Sequence, residues 1–278
     1  MRGAGFSSRA ARQAGIGPAG AWMLRGFSWT LLALLTFPLI VLIGASFSAS
    51  DYVHFPPFGL SLKWYGAFVK DPTFLNSLIL SAEIAGSAAC FATLLGFPAA
   101  YILLRRRFPG RGILESLFLS PLLVPQIIIG VALLQFFTFI GIATSFAGLL
   151  IAHVVSVMPY VIRTVSAALQ NLDPRIEEAA ADLGANRLEV MALVVAPMVK
   201  GGLIAGALFA FIMSWVNVEV SIFLGVTGGY TLPVVLYNFM EYSITTVVVA
   251  AASVAIYVGI ALVLLIDRVI GLNTASRL

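Results

Sequence analysis

Six long apolar runs, parted by short polar stretches, dominate the chain. A bilayer core of about 30 Å is crossed by about 20 helical residues at about 1.5 Å rise each. The runs near Phe27–Ser48, Phe74–Leu104, Ile113–Ile140, Phe146–Leu169, Gly201–Val226 and Thr246–Asp267 all reach that length. Because lipid cannot satisfy backbone polar groups, each is expected to be a helix. The fold class is therefore all-α: a polytopic membrane protein with six transmembrane helices. Residues 1–26 form an N-terminal arm, 27–270 the transmembrane domain and 271–278 a tail.

Three runs carry features beyond length. The first follows an arginine-bearing arm and ends in small residues, and it reads as an uncleaved anchor because its apolar stretch exceeds the core of a signal peptide. The second is longer than a bilayer requires, so it tilts or projects. The third holds Ser120-Pro121-Leu122-Leu123-Val124-Pro125. Two prolines remove two backbone donors, and the helix should kink or break there, either through packing or as unwound backbone beside a cavity. Between the first two runs, Trp64 and Tyr65 in the segment 51–73 predict a short interfacial helix.

Charge sets the orientation. Of the 16 Lys and Arg residues, only Lys63 and Lys70 fall on one side of the alternating runs. The others, Arg2, Arg9, Arg12, Arg25, Arg105, Arg106, Arg107, Arg111, Arg163, Arg175, Arg187, Lys200, Arg268 and Arg277, fall on the opposite side. Basic residues beside a span stay in the cytoplasm, so both termini are expected there. Orientation accounts for the net charge of +4, and a nucleic-acid partner is not expected. The 10% charged residues, against about 25% in soluble domains, exclude an ordinary soluble fold. Cys90 stands alone, which excludes an internal disulfide and reads as a packing residue.

The longest polar stretch runs from Asn171 to Val190, within a cytoplasmic loop of about 171–200. Asp173 is a candidate N-cap with Pro174 at the first helical position, and Glu177 in the first turn suits the helix dipole. Ala179, Ala180 and Ala181 favour helix, Gly184 can end it or adopt a left-handed turn, and a second short helix from about Asn186 leads to Pro197. The result is a helix–turn–helix projection. Chemistry alone leaves open whether it is a plug or a solvated connection.

Its residues resemble the EAA loop of permease subunits in binding-protein-dependent ABC importers. Glu178-Ala179-Ala180 is followed after three residues by Gly184, and Val194, Ala196 and Pro197 take the places of the pattern's Ile, Leu and Pro. Other stretches resemble the spermidine/putrescine branch, in particular its second permease: Phe58–Tyr65, Ser120-Pro121 through Gly130, Pro159–Thr164 and Thr231-Leu232-Pro233. The resemblance runs from the first span to Gly271-Leu272. It implies a type I (MetI-like) permease fold in a bacterial inner membrane and a heterodimer with a second permease. It also implies two cytoplasmic ATPase subunits and a solute-binding protein outside. It assigns Glu178, Ala179, Ala180, Gly184 and Pro197 to ATPase coupling. No Gly-x-x-x-x-Gly-Lys-[Ser/Thr] loop occurs in the chain, so it is not expected to be an enzyme; ATP and Mg belong on the partner ATPase.

Ionisable groups at membrane depth are candidates for the transport pathway. Glu83 and Glu219 fall inside the second and fifth runs, about 14 Å and about 10 Å from their outer ends by helical rise. Two carboxylates there favour a cationic cargo such as a polyamine, and Ser214, Trp215 and Asn217 add hydrogen bonds and a cation–π face. Where the polyamine branch usually has Ser-Phe-Asp-Glu, this chain has Ser214-Trp215-Val216-Asn217. A different cargo (an opine, a phosphonate or ferric ion) or a stand-alone secondary carrier are the rivals; a carrier would not need the plug. An intramembrane enzyme would need a nucleophile–base pair or metal ligands, and none stands out. His153 has no ligand partner at metal-binding spacing and reads as a packed residue, Arg163 as a snorkelling one, and Gly202 and Gly206 as a close helix contact, within the chain or to a partner.

Overall fold

A computed structural model describes residues 18–242, 245–266 and 268. Arg2, Arg9, Arg12, Asp267, Gly271-Leu272, Arg277 and the 271–278 tail lie outside the described residues. Every regular element among those described is helical. Among the described residues, 18–65 with Thr245–Ser253 form one compact unit, and 66–242 with 254–266 form another.

The smaller unit contains α1, Pro18–Ser46. It begins at Pro18 rather than near Phe27: proline suits the first helical position, and Ala19, Ala21, Met23, Leu24 and Arg25 favour helix against the cost of Gly20 and Gly26. A span-length apolar stretch, Trp22–Ser46, lies within it. Beyond it, Ser46 Oγ meets the Tyr65 hydroxyl at 2.6 Å, and Trp64 Nε1 donates to Ser48 O at 3.0 Å. These rings belong to α2, Lys63–Lys70, the short helix expected here. Thr246 Oγ1 donates to Asp51 O at 3.0 Å and ties the last span to the same segment.

The larger unit is built on α3, Pro72–Arg105. At 34 residues it is about 50 Å long by helical rise, well beyond a bilayer core. Asp71 caps it, its carboxylate accepting from Thr73 N at 2.8 Å. The third expected span is not one helix. It divides into α4, Arg111–Leu119, a 3₁₀ turn over Ser120–Leu122, and α5, Gln126–Phe139, with a 106° bend. Pro125 has no N–H for the Pro121 carbonyl, and the Gln126 side chain donates to that carbonyl instead at 2.8 Å. The break is thus stitched by a local side chain.

Next come α6, Phe146–Gln170, and α7, Pro174–Asp182. The helical stretch α8, Arg187–Met198, has a π-helical middle over Val190–Val195. It meets α9, Lys200–Trp215, at an 81° bend. Pro197 removes a donor just before that bend, and Gly201 and Gly202 follow it. The fifth expected span is therefore shorter than Gly201–Val226. α9 has 16 residues, about 24 Å, and the chain then runs as turns through Val226. α10, Leu232–Tyr242, and α11, Thr246–Ile266, complete the fold. Among the described residues, four helices are long and apolar enough to cross a membrane, and six spans result only if each bent pair counts as one.

α3, α6 and α9 pack as the core. Ala85, Ala88, Ala92 and Ala100 of α3 are fully buried, as are Val161 and Val165 of α6 and Ala210 of α9. Small side chains let backbones approach closely, which replaces the hydrophobic drive that lipid does not supply. Gly202 and Gly206 serve this purpose inside the chain. Both face α6, where a Cβ on Gly206 would lie 3.1 Å from Val161 Cα, so the pair is not a partner contact.

Candidate functional site

The α6–α9 connection is a rigid projection made from short-range signals. Asp173 Oδ1 accepts from Arg175 N at 3.0 Å and starts α7. Gly184 ends it with φ +94°. Ala185 N donates to Ala180 O at 3.2 Å and Gly184 N to Ala181 O at 2.9 Å, the paired bonds of a Schellman cap. Asn186 Oδ1 then accepts from Leu188 N and Glu189 N, both at 3.0 Å, while Glu189 Oε2 accepts from Asn186 N at 2.7 Å. This capping box opens α8 directly after the Gly184 turn and fixes the angle between the two helices.

On this projection Glu178, Ala179 and Gly184 are exposed, and Ala180 is half-buried against the core. Pro197 is not brought to the same face; it sits in the last turn of α8, at the bend. Sequence reading missed Leu183 and Leu188, which flank the Gly184 turn and are 90% and 72% exposed. Large apolar side chains exposed on a turn mark a candidate interaction surface.

A second set of contacts anchors α7. Arg105, the last residue of α3, donates through Nε to Glu177 Oε1 at 2.8 Å. Its Nη2 donates to Leu169 O at 3.1 Å and Leu172 O at 2.8 Å. The Tyr101 hydroxyl donates to Glu177 Oε2 at 2.7 Å. None of these pairings is visible from spacing along the chain.

The candidate pathway residues separate into two groups. Ser214, Trp215 and Asn217 are buried, whereas Glu83 and Glu219 are exposed. Ser214 Oγ and Asn217 Oδ1 are bonded within the chain, which leaves the Asn217 amide nitrogen as the group this pair could offer to a cargo. Asn217 Oδ1 accepts from Val220 N at 2.9 Å, a side-chain cap that opens a new turn just after α9 ends at Trp215. Ser221 Oγ donates to Asn217 O at 2.8 Å. His153 then donates from Nε2 to Ser221 Oγ at 2.9 Å and accepts at Nδ1 from Ser214 Oγ at 2.7 Å. His153 is thus a satisfied buried residue that pins the end of α9 to α6. Trp215 stacks on Phe211 with ring centroids 5.9 Å apart and lines an apolar cleft of about 500 Å³ with Val216, Pro233, Ile256 and Val263.

Glu219 lies in the turns after α9, not within a helix, so its depth cannot be counted by helical rise. The segment is backed by α5: a Cβ on Gly130 would lie 3.0 Å from Glu219 O. Glu83 stands on the face of α3 opposite Ala85, Ala88 and Ala92, at helical spacing with Asn76, Ser87 and Cys90. Asn76, Glu83 and Cys90 are exposed and Ser87 half-buried, so Cys90 is not a packing residue within this chain. A carboxylate with polar companions along one unpartnered helix face is costly in lipid and marks a wet or subunit-facing wall.

Long apolar helices, two interrupted spans and a rigid projecting helix–turn–helix make up the architecture of a transporter permease. Residues 92–273 match the family described as binding-protein-dependent transport system inner membrane component, and the chain belongs to it. It is an inner-membrane, multi-pass permease of the ABC importer class. It is 32% identical over 249 residues to the spermidine/putrescine transport system permease protein PotC of Haemophilus influenzae, covering 88% of this chain and 95% of that one. It is 33% identical over 238 residues to the putrescine transport system permease protein PotI of Escherichia coli, covering 81% and 84%. Among solved structures, a chain of a bacterial ABC transporter that imports the acidic polysaccharide alginate matches with a TM-score of 0.71 and 20% identity, over 94% of this chain and 97% of that one. That likeness establishes the fold.

Proposed function

We propose that this chain is one of two non-identical permeases of an ATP-driven importer for polyamines or related amines. The α7–α8 projection faces the cytoplasm and seats in a partner ATPase, which holds ATP and Mg. The observation that carries the reading is the rigid plug, with Glu178, Ala179 and Gly184 presented on it between two complete caps. Closure of the ATPase dimer displaces the plug, and the attached α6 and α9 swing as rigid bodies. A solute-binding protein delivers cargo on the other side. The similarity to PotC and PotI over most of the chain supports an amine cargo, and so do the exposed carboxylates of Glu83 and Glu219.

One observation favours a second reading, the same machine with another cargo. Val216 and Asn217 stand where the polyamine branch carries two acids, and Asn217 is buried and uncharged, with its Oδ1 bonded to Val220 N. Uptake of labelled putrescine and spermidine into vesicles separates the two. With both permeases, the ATPase and the loaded binding protein present, uptake is ATP-dependent and this chain alone is silent; full-rate uptake by the chain alone overturns the importer reading. Glu83→Gln and Glu219→Gln each lower amine uptake about tenfold, the factor for a lost contact of about 1.4 kcal/mol. Unchanged kinetics in both removes the carboxylates from the pathway.

Orientation has its own test, in a Cys90→Ser background because Cys90 is exposed. In intact cells, a membrane-impermeant maleimide labels Lys63→Cys but labels Arg187→Cys only after permeabilisation. The reverse pattern inverts the topology.

A further inference from the structure

The Arg105 side chain joins three helices at one point. Through Nε it holds Glu177 of the first turn of α7; through Nη2 it holds Leu169 O, in the last turn of α6, and Leu172 O just beyond. Glu177 has both carboxylate oxygens occupied, one by Arg105 and the other by the Tyr101 hydroxyl. The guanidinium therefore lies at the negative end of the α6 dipole and the carboxylate at the positive end of the α7 dipole, each on its favourable side. Side-chain exposures of 14% and 11% set the pair apart from a solvated surface ion pair, which contributes little. Breaking one half of a desolvated, multiply bonded pair leaves the other half uncompensated.

What the contacts connect matters more than their strength. α6 and α8 are the covalent neighbours of α7, but α3 is not: Arg105 and Tyr101 are 72 and 76 residues from Glu177. α3 is also the helix whose unpartnered face carries Asn76, Glu83, Ser87 and Cys90. Packing of α3 on α6, and of Ala180 against that core, already links α7 to α3; these side chains add a direct polar tie between α7 and the end of α3.

We propose that Arg105, Tyr101 and Glu177 form a latch that makes α3 follow the displacement of α7, so that the stroke received by the plug reaches the wall bearing Glu83. They are positioning residues, and the inference rests on the coupling role given to α7 above. Arg106 provides an internal control. It occupies the next position, is exposed, and makes no side-chain contact in this cluster, so its removal takes away the same charge and leaves the latch intact.

The test uses the whole importer in vesicles, with ATP hydrolysis and uptake measured in the same preparation so that cargo moved per ATP is obtained. Glu177→Gln and Arg105→Gln each lower cargo per ATP about tenfold, in keeping with a hydrogen-bonded charge left without its partner. Tyr101→Phe lowers it less. The double variant is no worse than either single one, because both remove the same connection. ATPase copurification stays at the wild-type level throughout, and Arg106→Gln leaves the ratio unchanged. An unaltered ratio in Glu177→Gln overturns the latch. So does a loss that only parallels loss of ATPase copurification, which assigns the pair to folding, or an equal loss in Arg106→Gln, which assigns the effect to net charge. A wild-type chain that does not copurify with an ATPase overturns the coupling reading itself, and that outcome is distinct from the others.

Discussion

Gly184→Val lowers cargo uptake at least about tenfold while the chain still inserts and folds. The physical cause is local. Gly184 has φ +94°, a region that a β-branched residue enters only at a cost of about 1–2 kcal/mol or more. No atom lies within 4 Å of a Cβ built there, so crowding is not the problem. Relief of the strain instead breaks the Schellman bonds from Gly184 N and Ala185 N, and the angle between α7 and α8 is lost. Glu178 and Leu183, before the turn, and Leu188, after it, then lose their fixed relation, and with it the proposed seat on the ATPase. Gly184→Asn, which tolerates the left-handed region, retains most of the uptake. The measurement is vesicle uptake beside a thermal melt of the purified chain. Wild-type uptake by the valine variant would discard the coupling role of the turn, and a collapsed melt would show that the turn supports the fold.

Gly206→Val has the opposite signature: the folded chain itself is lost. A Cβ at Gly206 would lie 2.5 Å from Thr164 Oγ1 and 3.1 Å from Val161 Cα, and one at Gly202 would lie 2.6 Å from Ala168 Cβ and 3.1 Å from Thr164 O. Backbone atoms cannot yield, and Thr164 Oγ1 is already engaged with Tyr160 O and Val161 O, both at 3.0 Å. α9 must therefore withdraw from α6, which opens the seam on which Ala210 and Val161 are buried. Overpacking of this kind costs about 1–3 kcal/mol, and more where two backbones must part. Gly201→Ala, where a Cβ meets nothing within 4 Å, is the control and should be neutral. Fluorescence-detected size exclusion after a heat step reads the difference. Equal survival of Gly206→Val and Gly201→Ala would show that the seam is looser than its geometry.

The two glycine positions illustrate what was legible in advance. At Gly184 the reason for glycine is the backbone angle, a property of three or four consecutive residues, so sequence reading placed it correctly with Asp173, Pro174 and Asn186. At Gly206 the reason is the helix opposite, and the spacing Gly-x-x-x-Gly did not say whether that helix belonged to this chain or another. The interrupted spans fall between. The two prolines announced a break between Ser120 and Pro125, but its 106° angle and its repair by Gln126 depend on how the chain resumes. The new turn just after α9 was not foreseen, because Asn217 in an apolar run looks the same whether it faces a pathway or caps Val220 N.

By itself the sequence determined the membrane class, the ends of α3 and α6, and the Asp173 start and Gly184 turn that shape the plug. Hydropathy, proline, glycine and Asp or Asn caps act within a turn or two, so order along the chain is the relevant distance. Only the tertiary structure decided that Arg105 meets Glu177, that His153 pins Ser214 and Ser221, that Glu83 and Glu219 are exposed while Asn217 is not, and that the two glycines serve α6. Those outcomes depend on which helix faces meet, and faces of helices tens of residues apart are matched by packing in three dimensions, a quantity that local spacing does not carry.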